Sequence, residues 1–253
     1  MAVKVISDIH GAYAALRSQL DRGDIAVLLG DYLNLIDFRT LDGILAQVYS
    51  REEVVKALAI MATRDKDMAR RKIREVIGGT PEKRERIREL VTASYVEFFD
   101  SIPCKCFLLY GNTDGPDAMR ALAGNNVELV ESGVVTVDGQ RFGMVSGAPH
   151  GPWNVGLPGE MPTSRYDSLI ASLGPCDVLC THYPPAVEDL TFDTHAKRDE
   201  VGSEAVLEYI DEHSPFRHYF GHVHHPRAFC ATRGVTGLVN VGYFRETGAA
   251  FIH

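Results

Sequence analysis

Five apolar runs along this chain each break off at a residue that carries an oxygen or imidazole donor. Ala2-Val3-Lys4-Val5-Ile6-Ser7 leads into Asp8 and His10, and Ala26-Val27-Leu28-Leu29-Gly30 stops at Asp31. Cys106-Phe107-Leu108-Leu109-Tyr110-Gly111 stops at Asn112, and Asp177-Val178-Leu179-Cys180-Thr181 stops at His182. His218-Tyr219-Phe220-Gly221 stops at His222, with His224 two residues on. Short apolar runs of this kind read as buried strands. Loops at the carboxyl ends of such strands are where an α/β protein assembles a site. These donor types point to metal ions rather than to a nucleophile triad.

Between the runs the period changes to that of helices. A helix is expected over residues 12–20. Val54, Val55, Leu58, Met61 and Ala62 recur at helical spacing, as do Ile73, Val76 and Ile77. Gly78-Gly79-Thr80-Pro81 is a break: glycine ends one helix, Thr80 can cap the next, and Pro81 suits its first turn. The following helix is expected over 82–99. Basic and acidic residues alternate through residues 39–101, which marks a solvated amphipathic pair and not a basic patch. This stretch reads as a helical insertion into a core made of residues 1–38 and 102–253. It follows Asp31 closely, so it should leave and rejoin the core near the metal-bearing edge, as a cap over the pocket or a dimer surface. Its apolar positions could instead pack entirely on the core. Further on, helices are expected over 116–123, 165–173 and 203–213. Residues 128–145 read as two strands across Asp138-Gly139, and 228–252 as antiparallel strands.

A chain of 253 residues fits one domain, or a domain with an insertion. No apolar stretch approaches the roughly 20 residues needed to span a bilayer, and the N-terminal run reads as a core strand rather than a signal peptide. The five cysteines have no zinc-ribbon spacing and are expected to be reduced, mostly buried thiols of a cytoplasmic protein. The formal net charge of -8 argues against a general nucleic-acid binder. It permits a small phosphate-ester or nucleotide substrate, because bound cations reverse the local sign.

Asp8 and His10 stand at i and i+2, which in extended backbone aims both side chains the same way. Asp31 offers a carboxylate that can bridge two ions, Asn112 a neutral amide oxygen, and His182, His222 and His224 imidazoles. Gly30, Gly111 and Gly221 each precede a donor, where the absence of Cβ permits close approach. Singly, each donor has a plainer reading: an aspartate can cap a helix, and a core histidine is usually structural. Those readings do not explain seven donors ending five strands.

Asp8-Ile9-His10, Gly30-Asp31, Gly111-Asn112-Thr113-Asp114, Thr181-His182 and Gly221-His222-Val223-His224 resemble, in order, the motifs of the calcineurin-like metallophosphoesterases. The resemblance covers nearly all the chain outside residues 39–101. It implies an α/β fold, a two-sheet mixed β-sandwich flanked by helices. It also implies one divalent ion on Asp8, His10, Asp31 and His224 and a second on Asp31, Asn112, His182 and His222. The implied chemistry is a phosphoesterase in which a hydroxide bridging the two ions attacks phosphorus in line. Two ions bring about +4 against about -3 from two carboxylates and the hydroxide, a surplus that attracts phosphate. Manganese is the expected metal, although Fe, Zn, Ni, Co or Mg would also suit such donors.

The chain departs from the family at Thr113, where a histidine usually protonates the leaving group. A threonine hydroxyl is too weak an acid for that task. The departure implies a preference for phosphodiesters or activated leaving groups. Asp31, Asn112 and Thr113 are the catalytic candidates. Thr113, His150, His195 and Arg198 are the candidates for touching substrate. His150, His195 or His225 could replace the missing acid, and Lys197 or Arg198 could meet a phosphate or nucleotide. Each of these also reads as a surface residue. Trp153 or Tyr166 could stack on a base or pack in the core. Two alternatives stay open: a phosphomonoesterase or pyrophosphate hydrolase, and a low-activity scaffold on the same fold. A scaffold implies eroded ligands, and none is missing.

Overall fold

The computed structural model describes residues 2–37, 39–61, 71, 79–152, 154 and 156–253. The apolar runs form two sheets. In the first, β1 (Val3–Ile6), β2 (Ile25–Leu28), β3 (Lys105–Leu108) and β4 (Val127–Leu129) are parallel neighbours. β15 (Phe251–Ile252) lies antiparallel against β1. The second sheet runs β13 (Cys230–Arg233), β14 (Thr236–Asn240), β12 (Arg217–Phe220), β9 (Val178–Thr181), β6 (Gln140–Val145) and β5 (Ser132–Val137). Its four central strands are parallel and its two edges antiparallel.

The strand period of two explains why both sheets are covered on both faces. Val3, Val5, Val27, Leu29, Phe107 and Leu109 of the first sheet share one apolar cluster with Phe142, Met144, Val178, Cys180, Tyr219 and Val239 of the second. The alternating residues, among them Leu28, Cys106, Leu108, Leu179 and Leu238, join the cluster that includes the helices. The result is the expected two-sheet mixed sandwich with helices outside. Truncating Phe107, which is 2% exposed, to alanine would cost about 3–5 kcal/mol at this inter-sheet position.

Helices α1 (Tyr13–Gln19), α2 (Arg51–Met61), α3 (Pro81–Asp100), α4 (Pro116–Leu122), α5 (Thr163–Ala171), α6 (Glu188–Thr191), α7 (Glu204–His213) and α8 (Phe244–Thr247) connect the strands. Thr80 caps α3 as expected, its Oγ1 accepting from Lys83 N at 3.3 Å with Pro81 in the first turn. Ser50 and Glu53 form a reciprocal capping box at the start of α2. In α3, Tyr95 and Phe98 are fully buried. Phe98 stacks on Tyr32 at 4.3 Å, and Tyr95 Oη accepts from Gly115 N at 2.6 Å. α3 therefore packs against the loops that carry Asp31 and Asn112. The helical spacing read through Ala62, Ile73, Val76 and Ile77 lies outside the described residues, as does Trp153.

Two expectations need correction. Within residues 128–145 only β5 and β6 form the hairpin, across Asp138 (φ 46°) and Gly139 (φ 81°). Two positive φ values are what a tight hairpin turn of matching twist requires, and β4 belongs to the other sheet. In the tail, β13 and β15 are antiparallel to their neighbours, but β14 runs parallel to β12. α8 interrupts the strands and ends at Gly248, whose φ of 59° suits a helix stop. Among the described residues, no helix is long and apolar enough to cross a membrane.

Candidate metal centre

The carboxyl ends of β1, β2, β3, β9 and β12 bring their loops together at one edge of the sandwich. The loops stay paired past the strand ends: Asp8 N donates to Gly30 O at 3.1 Å and His10 N to Asp31 O at 3.0 Å. The backbone is not extended there. Asp8, His10, Asp31 and His222 have φ of 57°, 41°, 58° and 69°. Such left-handed conformations are uncommon outside glycine and cost about 1–3 kcal/mol each. Asp8 and His10 thus converge through tight left-handed turns and not, as strand alternation suggested, by pointing the same way from a strand. The glycines act as expected. A Cβ on Gly30 would lie 2.7 Å from Gly111 Cα, and one on Gly111 would lie 2.8 Å from His182 Cε1.

Asp114 holds this strained edge, a role the sequence did not disclose. Its Oδ2 accepts from Asp31 N at 2.8 Å and Gly111 N at 2.9 Å, and its Oδ1 from Tyr32 N at 3.0 Å. Burial, together with the neighbouring Asp31 charge, pushes its carboxyl up to about 7.

Two donor triads result: Asp8, His10 and His224, and Asp31, His182 and His222. Within each triad the ligand atoms all lie within 4.8 Å of one another. His10 Nε2 is 3.2 Å from His224 Nε2 and 3.7 Å from Asp31 Oδ2. His182 Nε2 is 3.6 Å from Asp31 Oδ1 and 3.1 Å from Asn112 Oδ1. His222 Nδ1 is 2.8 Å from the same amide oxygen. Asp31 therefore stands between the triads, its Oδ2 toward one and its Oδ1 toward the other. The imidazoles are oriented from behind: His10 Nδ1 lies 3.0 Å from Leu33 O and His182 Nδ1 2.9 Å from Leu29 O. Each Nε2 is left facing the centre, the usual arrangement behind a ligating histidine.

The donor set fits divalent cations. Asp8 is 1% exposed, yet among the described residues its Oδ1 has no hydrogen-bond partner. A buried carboxylate oxygen without a partner is costly unless a cation meets it. Burial pushes the Asp8 and Asp31 carboxyls up, but nearby histidines outweigh it, chiefly His10 for Asp8 and His182 for Asp31, and hold both below their ordinary values. Burial pushes His10 down, while Asp8 and Asp31 together outweigh it and lift it to about 9. Burial prevails at His182 and His224, which are lowered.

Thr113 sits at the centre's edge, both its N and its Oγ1 donating to Asp31 Oδ1 at 2.9 Å. A cavity of about 410 Å³ opens here and is lined by His10, Asp31, Asn112, Thr113, His222 and His224. His195, Arg198 and His225 also line it, and His195 stacks on His225 at 3.7 Å. His150 is exposed, and although Pro149 and Gly151 line the cavity, His150 does not. Tyr166 is fully buried beside Tyr183, which removes it as a base-stacking surface. Glu200 was not foreseen. It is 5% exposed, lines the cavity, and directs Oε2 at His222 Nε2 from 3.7 Å.

Fold and centre together define a class. The chain belongs to the calcineurin-like phosphoesterase family, whose model matches residues 1–226. No curated protein matches the sequence. One solved crystal structure is similar over 99% of this chain and 97% of that chain, at 18% identity and a TM-score of 0.56. A phosphopantetheinyl hydrolase from Mycobacterium tuberculosis is similar over 97% of this chain and 90% of that chain, at 15% identity and a TM-score of 0.45. A protein of unknown function from Aquifex aeolicus is similar over 99% of this chain and 95% of that chain, at 12% identity and a TM-score of 0.45. The first likeness concerns the fold alone.

Proposed function

We propose that this protein is a dinuclear metal-dependent phosphodiesterase acting on a small phosphate ester. Asp8, His10, Asp31 and His224 hold one divalent ion, and Asp31, Asn112, His182 and His222 hold the other. Divalent ions held there supply activated water at neutral pH and positive charge beside the phosphoryl oxygens. The protein's own groups do the rest. Asp31 fixes the spacing of the two donor triads, and Thr113 fixes Asp31. The Asn112 side chain, between His182 and His222, positions the phosphoryl group. The observation that carries this reading is the pair of donor triads meeting at Asp31 on one cavity wall. A scaffold role has no such support, because none of the seven donors is replaced.

The diester preference rests on Thr113. Its hydroxyl is committed to Asp31 and is in any case too weak an acid to protonate an alkoxide. A diester with a good leaving group does not need that proton. Of the three histidines considered, His195 and His225 line the cavity and are the candidate replacement acids. The described residues 45–57 act as a cap, since Leu45, Tyr49, Val54 and Ala57 line the cavity. The five cysteines are free thiols, Cys104, Cys106, Cys176 and Cys180 buried and Cys230 exposed, and the compartment proposed is the cytoplasm. With Mn(II) added, bis(p-nitrophenyl) phosphate should turn over faster than p-nitrophenyl phosphate. A strong monoester preference would refute the diester reading.

A further inference from the structure

The cavity has two chemically different walls. One presents the metal-ligand candidates. The other is built by the insertion: Leu45, Tyr49, Val54 and Ala57, with Leu35 and Leu157. Tyr49, Val54 and Ala57 are only 5%, 8% and 8% exposed. Val54 and Ala57 lie three apart on α2 and so share a face. Tyr49 is held by Lys83, whose Nζ sits 4.4 Å over its ring while also pairing with Glu53 at 2.7 Å. This apolar wall is therefore anchored to α3.

The charges on the wall decide what else can enter. Apart from Asp31, the described lining residues include five carboxylates, Asp37, Glu53, Glu160, Asp193 and Glu200, against two arginines, Arg39 and Arg198. Both arginines stand beside carboxylates: Arg39 Nη2 is 3.9 Å from Glu246, and Arg198 Nε is 3.2 Å from Glu200. A polynucleotide or multiply phosphorylated molecule would carry further negative charge onto this surface, where both described lining arginines already stand beside carboxylates. One phosphoryl group at the metal end is favoured, and beyond it the wall rewards apolar surface. A volume of about 410 Å³ lies in the range of small-molecule sites.

We propose that the substrate is a singly charged phosphodiester with one compact apolar arm, alkyl or aryl, seated against Leu45, Tyr49, Val54 and Ala57. This rests on the phosphodiesterase reading above, and the test separates the two. The Mn(II)-loaded protein is titrated calorimetrically with methyl methylphosphonate and methyl hexylphosphonate, which carry the same single charge. Turnover of bis(p-nitrophenyl) phosphate is followed in parallel. Because each buried CH2 is worth about fourfold, the hexyl compound should bind at least about thirtyfold tighter. Val54→Asp should cut that ratio to about threefold or less, with Ala57→Asp serving if the first variant fails to fold. Equal affinities, an unchanged ratio in a folded variant, or tighter binding of a dinucleotide than of the hexyl compound would each overturn the apolar-arm assignment. A hexyl preference without diester turnover leaves that assignment standing and removes the phosphodiesterase reading. Turnover with no chain-length preference does the reverse.

Discussion

The Asp8 carboxylate accepts a hydrogen bond from the His222 backbone N–H at 2.9 Å, tying the end of β1 in one sheet to the end of β12 in the other. The bond engages Oδ2. Among the described residues it leaves Oδ1 without a hydrogen bond, 3.3 Å from His224 Nε2 and 3.8 Å from His10 Nε2. Asp8 thus joins the sheets with one oxygen and offers the other to a cation. Asp8→Asn keeps the shape and removes the charge. Metal analysis of the purified variant should fall from about two ions per chain to about one, with activity down about 100-fold or more. Two ions retained at full activity would remove Asp8 from the ligand set.

Thr113 separates two catalytic styles. Thr113→Ala loses only the hydroxyl bond to Asp31, because the backbone N–H donates to the same oxygen. The expected cost is about 1 kcal/mol, or roughly fivefold in diester turnover. Thr113→His introduces a general acid, and monoester turnover should rise about tenfold or more relative to diester turnover. If the monoester rate does not rise, the missing acid is not what limits it.

Much of the centre was legible in the sequence because each strand announced itself by period and then stopped at a donor. What the sequence hid was how the donors meet. Asp8 and His10 read as strand neighbours, whereas both occupy left-handed turns that only the surrounding loops can enforce. Asp114 stood in view after Asn112, but its three backbone donors come from two different loops, and no spacing reveals that. Glu200 follows β11 (Arg198–Asp199), which pairs with β10 (Phe192–Asp193). Strands of two residues are too short to carry a burial pattern, so a buried carboxylate looked like part of a solvated loop.

Glu200 is expected to position His222. The ring turns Nδ1 to Asn112 and Nε2 toward Glu200. Burial pushes His222 down, but Glu200 outweighs it and raises the imidazole. Glu200→Gln should weaken metal affinity about tenfold, the scale of losing a carboxylate behind a ligating histidine. Competition with a chelator measures this directly. Unchanged affinity would mean that Glu200 only lines the cavity.

His218 sets an acid limit on the fold that is separate from the metals. It is fully buried, its Nε2 lies 2.9 Å from Thr181 Oγ1, and among the described residues its Nδ1 has no hydrogen-bond partner. Burial lowers it from 6.5 to about 3. The unfolded chain therefore binds a proton below about 6.5 that the folded chain refuses until about 3. Stability is complete above that window and falls as pH drops through it, by up to about 1.4 kcal/mol per unit. Urea midpoints of metal-free protein between pH 7 and 4 should show this slope, and His218→Phe should flatten it by about one proton. An unaltered slope in a folded variant would assign the acid sensitivity elsewhere.

Crystals grown with Mn(II) give the most direct measurement, through an anomalous-difference map at the manganese edge. Two peaks about 4 Å apart are expected, one beside Asp8, His10 and His224 and the other beside Asn112, His182 and His222, with Asp31 between them. A single peak, or two peaks too far apart to share the Asp31 carboxylate, would contradict a dinuclear centre.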